Sequence, residues 1–281
     1  MSRPNALGEY LRARRELTDP TDAGLPVVGV RRTPGLRREE VATLAGISAD
    51  YYLRLEQGRD RNPSPQVLQA LARVFRLDAT ATEHLLSLTT ARPAASRRPR
   101  RETVPAGIRQ LLDAINLPAF VESRTFDVLA ANRLATAVSP NIRPGVNRLR
   151  SIFLDPAEQD LHPDWEQAVR GVVAGFRASV GSDVDDPRII QLVGELSLAS
   201  DTFRRLWARH DVTALAGGTM RLRHPRAGLL ELRREKLPLS DSGGQILAVY
   251  HAEPGSESAR ALAALASPEA METPRASAAD A

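Results

Sequence analysis

Apolar residues recur at helical spacing through the first ninety positions. Leu7, Tyr10 and Leu11 form one stripe, Val41, Leu44 and Ala45 a second, and Tyr52 with Leu55 a third. Leu68, Leu71, Ala72 and Phe75 form a fourth. Ser64-Pro65 opens that fourth helix as N-cap and first-turn proline. Thr80-x-x-Glu83 predicts a capping box for a fifth, carrying Leu85, Leu86 and Leu88. Beyond position 105 the pattern is mixed. Short apolar runs at 118–122 and 126–130 surround a turn. Three helical patterns follow: Trp165, Val169, Val172, Val173, Phe176 and Val180; then Ile189, Leu192, Val193 and Leu196; then Phe203, Leu206, Trp207 and His210. Strand candidates lie at about 219–224, 228–234 and 245–251, split by His224-Pro225 and Ser242-Gly243-Gly244. An amphipathic helix over about 256–266 closes the pattern. Strands at both ends with helices between them predict an α+β domain whose sheet joins early and late segments.

The pattern breaks at 90–105, where prolines, small residues and arginines show no apolar periodicity and read as a solvated linker. The expected organisation is therefore a helical domain over 1–90, a linker over 91–105, a second domain over 106–267 and a disordered tail over 268–281. The 281 residues suit two domains, and 42% apolar residues suffice for real cores. Charge separates the two halves. Residues 1–101 carry a net charge of +7 and the remainder −3, which points to a nucleic-acid module joined to something else. Only Lys236 is lysine; the other 37 basic residues are arginine. With no cysteine there is no disulfide, thiolate metal site or thiol nucleophile. No apolar run is long enough to span a membrane and no signal peptide opens the chain, so the expectation is a cytoplasmic, nucleoid-associated protein.

The most informative stretch is Leu36–Gly58. Ala42 is small enough to let a second helix approach the first, and Gly46 suits a left-handed turn. Ile47 plugs that turn into the core, Ser48 caps the next helix, and Tyr52 and Leu55 fall on its buried face. These offsets describe a helix-turn-helix. Ala49, Asp50, Leu53 and Arg54 then face outward, where a recognition helix meets base edges. Arg54 suits guanine O6 and N7; Asp50 accepts from cytosine N4 or orients Arg54. Arg37 and Arg38 begin the preceding helix and suit phosphate. Ser48 and Tyr51 complete the expected contact set with Arg59, Arg61 and Asn62. The expected partner is double-stranded DNA.

At these residues the chain resembles the Xre-type helix-turn-helix domains, and more narrowly the MmyB-like regulators of high-GC bacteria. Arg31–Ala42, Asp50–Asp60, Pro63-Ser64-Pro65 and the insert Thr18–Val30 carry the narrow resemblance. It continues through Leu117–Val121, Phe203–Asp211 and Ala252–Ser256, covering about residues 6–267. The resemblance implies an all-α N-terminal domain of about five helices and a PAS-like α+β C-terminal domain with a small antiparallel sheet. That second domain is expected to dimerise and to bind a small, apolar, fatty-acid-like molecule. Relatives often carry Trp before the Asn of Ala130–Arg133, where this chain has Ala131; a pocket lined there would be roomier.

Aromatic residues are only 4% of the chain, so Phe120, Trp165, Phe176, Phe203 and Trp207, with His210, are the expected pocket wall. Asp183, Asp185 and Asp186 lack the glycine and glutamate of a calcium loop and read as a turn and cap. No serine elbow, zincin motif, P-loop or dinucleotide fingerprint is present, so no enzyme, metal or cofactor is expected. The competing expectation is a ligand-free C-terminal domain that pairs and recruits other proteins.

Overall fold

The computed structural model describes residues 5–26, 31, 33, 35–89, 102–181, 183, 186–214, 217–240 and 242–266. They fall into two compact units. One combines 1–98 with 170–215; the other combines 99–169 with 216–281. The expected linker stretch 90–101 and the expected tail lie outside the described residues.

In the first unit, α1 (Ala6–Leu17), α2 (Arg38–Ala45), α3 (Ala49–Glu56), α4 (Pro65–Val74) and α5 (Ala79–Ser87) follow the apolar stripes. Leu11, Leu36, Val41, Tyr52, Leu71 and Leu85 meet in one core. Leu44, expected in the α2 stripe, instead lies 40% exposed, because Val41 and Ala42 supply the inward face. Ser64 caps α4 with Pro65 in its first turn, as expected. The cap of α5 differs from expectation. Asp78 accepts from the Ala81 amide at 2.8 Å, and Thr80 lies inside the helix. An aspartate preceding the run outcompetes the Thr–Glu pair because a carboxylate is the stronger acceptor at a helix N-terminus.

The remaining elements are α6 (Ala106–Ala114), β1 (Ala119–Glu122), β2 (Val128–Ala131), α7 (Arg133–Val138), α8 (Arg148–Leu154) and α9 (Pro156–Asp160). After them come α10 (Trp165–Val180), α11 (Pro187–Ala199), α12 (Asp201–Ala208), β3 (Gly218–His224), β4 (Gly228–Pro238), β5 (Ile246–His251) and α13 (Glu257–Ala266). The strands form one antiparallel sheet in the order β2-β1-β5-β4-β3. Phe120 faces Ala248 across the β1–β5 seam, so early and late segments do share the sheet. One sheet face packs Phe120, Leu230, Leu232 and Tyr250 against α7 and α13. The other packs Val121 and Leu247 against Leu112 of α6.

Asn132 ties the second unit together. It caps α7 through the Ala135 amide, accepts from the Ala119 amide, and donates to the Leu117 carbonyl at 2.7 Å. Ala131 beside it is half-buried against the first sheet face.

Candidate nucleic-acid interface and ligand domain

Gly46 ends α2 at φ 68°, ψ 33°, a left-handed conformation that a side chain resists. Ile47 then packs against the helical core, and the Ser48 hydroxyl accepts from the Tyr51 amide at 3.1 Å. Ser48 therefore serves the helix, and the face presented outward begins at Ala49. Ala49, Asp50 and Arg54 are exposed, while Tyr51 and Leu53 are half-buried. Asp50 sits 3.4 Å from Arg54, one turn apart, and the Arg54 guanidinium lies 5.8 Å from the centre of the Tyr51 ring. These two contacts hold a long side chain in one region while leaving it 49% exposed. Arg59, Arg61 and Asn62 follow on the same exposed stretch, Arg61 donating to the Gly58 carbonyl at 2.9 Å.

Arg37 precedes α2, its amide donating to Glu40 at 2.6 Å. Arg38 is more constrained than the sequence suggests. Its Nε meets Glu56 at 2.7 Å, yet the side chain stays 44% exposed. Glu56 is fully buried at the end of α3 and also receives Arg15 of α1 at 2.5 Å. Burial pulls the Glu56 carboxyl up, but hydrogen bonds from Arg15 and Arg38 outweigh it and hold the group below its ordinary value. Sequence reasoning did not single out Glu56 or Arg15. The only signal was a charged residue falling at i+4 from Tyr52, on the buried face of α3.

The expected pocket residues divide between the two units. Phe176, Phe203 and Trp207 lie together in the first unit; Phe203 stacks on Trp207 at 5.8 Å, and Arg177 covers the indole at 3.8 Å. His210 packs edge-on to Tyr10 at 6.4 Å. Phe120 and Trp165 belong to the second unit. Phe120 meets Tyr250 edge-on at 5.6 Å, and Trp165 meets Phe153 at 6.1 Å while donating to the Ile152 carbonyl. Asp186 caps α11 through the Arg188 amide, and no metal-ligating cluster occurs among the described residues.

A buried charge cluster in the second unit was also missed. Lys236 of β4 reaches Glu122 of β1 at 2.7 Å, and Arg148 of α8 reaches the same carboxylate at 3.4 Å. Burial raises Glu122, and the two cations more than offset it. Arg148 also feels the buried Glu158 carboxylate, so the cluster holds both signs of charge inside the fold. The Tyr250 hydroxyl is buried there without a hydrogen-bond partner among the described residues. The available signal was the chain's single lysine, in phase with Leu230 and Leu232 on the inward side of β4.

Comparison with known families gives two matches. Residues 6–85 match a helix-turn-helix domain, and residues 104–265 match the MmyB-like transcription regulator ligand binding domain. No curated protein matches the chain. No helix among the described residues is long and apolar enough to cross a membrane.

Proposed function

The chain belongs to the MmyB-like transcription regulators, DNA-binding proteins with a helix-turn-helix and a ligand-binding domain, and we propose that it works as a ligand-responsive dimer. In this reading α3 enters the major groove, Arg54 reads guanine, and Asp50 orients it. Arg37, Arg38, Arg59, Arg61 and Asn62 hold phosphates. The observation that carries the reading is an outward Arg54 braced by Asp50 and Tyr51 on a helix capped by Ser48. One domain offers one reading helix, so specificity calls for two half-sites about one helical turn apart, or a multiple. The ligand is a small apolar molecule with an acidic end, which Arg148, Lys236 and the Tyr250 hydroxyl suit. It acts by favouring one dimer geometry over another.

The test combines selection from random duplexes with native mass spectrometry. A palindromic consensus bound by a dimer carrying a stoichiometric small molecule is the expected result. A monomer footprint on one half-site overturns the dimer.

One observation favours a second reading, in which the C-terminal domain only pairs and recruits other proteins. Phe120, Phe176 and Phe203 are fully buried and packed on the chain's own aromatic rings. A clean, empty dimer that still binds the consensus fits this second reading.

A further inference from the structure

Residues 170–215 lie within the sequence of the ligand-binding domain, yet they pack in one compact unit with the helix-turn-helix. The boundary between the units falls inside α10. The few residues after α12 meet α1 directly. His210 takes a left-handed φ of 53°, unusual for a side-chain-bearing residue, and turns the chain back onto α1. Arg14 of α1 then donates to the Arg209 carbonyl and to Asp211, the latter at 2.7 Å. Arg209 Nε holds the other Asp211 oxygen at 2.7 Å. Val212, only 8% exposed, enters the core formed by Leu7, Tyr10 and Leu11, and Ala178 of α10 packs against the same core.

The far side of α1 grips the reading helix. Asn5, the cap of α1, donates to the Glu56 carbonyl at 2.7 Å. Arg15 holds the Glu56 carboxylate, and the Tyr52 hydroxyl reaches the Leu11 carbonyl at 3.4 Å. Gly8 lies so close that a Cβ there would stand 2.2 Å from the Glu56 carbonyl oxygen. Helix α1 is thus wedged between residues 209–213 and α3.

We propose that residues 209–213 form a strap through which the ligand-binding domain sets the position of the recognition helix, by way of α1. The strap engages Arg14, Tyr10 and the core; the outward residues Ala49, Asp50 and Arg54 remain exposed. It therefore acts by steadying α3, and loosening it weakens DNA binding. This inference rests on α3 being the reading helix.

The test uses the full chain with Asp211→Asn, Arg14→Ala, both together, and Val212→Ala. Val212→Ala trims the core plug without altering charge. Hydrogen exchange is followed by mass spectrometry, and affinity by anisotropy on the selected duplex. Expected are faster exchange in α1 and α3 with β1–β5 unchanged, and about fivefold weaker DNA binding. The Arg14–Asp211 double variant should be little worse than either single one. Exchange changes confined to 209–213, or looser α1 and α3 with unchanged affinity, overturn the strap. If the wild-type chain binds no duplex at all, the DNA-reading assignment fails instead. In that case the exchange of α1 and α3 still decides whether the strap steadies them.

Discussion

Arg38 closes the buried Glu56 while its side chain stays 44% exposed, and the proposed reading gives that exposed side to phosphate. Arg38→Ala should weaken binding to every duplex and lower the salt slope by about 1, as filter titrations over ionic strength would show. Arg54→Ala should cost about 1–3 kcal/mol on the selected site and relax one base pair. An equal loss on random DNA would show that Arg54 does not read a base. Glu56→Ala is a stability change. It strands Arg15 in the core and should cost about 3–5 kcal/mol in urea titration. Ser48 and Gly46 were legible in the sequence because their partners lie within a few positions. Glu56 was not, since Arg15 arrives from 41 residues away.

At the scale of elements, helix ends and close approaches decide the outcome. Gly46 has open space around it, so Gly46→Ala costs only the left-handed backbone, about 1–2 kcal/mol. Gly8 has no such space. Gly8→Ala must push α1 from α3 and should cost about 1–3 kcal/mol, with slower growth of the DNA-bound signal at fixed concentration. Long stripes such as Leu68–Phe75 gave their helices directly. The sheet was legible because β-rich runs were separated by Gly and Pro turns. α7, α8 and α9 were not, because helices of five to seven residues are too short for the apolar repeat to show. Asn132, Asn147 and Asp155 cap these three, a polar signature that periodicity alone passes over.

For the whole molecule, acid is the informative variable. Burial, then Arg177 and Arg14, push His84 down to about 4 and His210 down to about 3. Both stay neutral when folded while the unfolded chain takes up protons below about pH 6.5. Stability therefore falls as pH drops below about 6.5, and the loss ends near the folded values. Glu158 is pulled up by burial but held at about 2 by His162 and Ser139, so its own contribution is lost only at lower pH, below about 4.5. Thermal melts should show a declining midpoint between pH 6.5 and 4.5, and His84→Gln should flatten that decline. The expected domain order along the chain did not reveal that 170–215 packs with the N-terminal helices. Nothing in local pattern marks Val212 as a member of the core that holds Leu7.

That interleaving also orders events during synthesis. The five N-terminal helices are complete by Ser87, but the plug that finishes their core is Val212, some 125 residues later. At about 5–20 residues per second, the ribosome needs roughly 6–25 s to supply it. The core of the helix-turn-helix unit is therefore completed only after most of the ligand-binding domain has been made, and a chain interrupted before Val212 carries its five helices with that core unfinished.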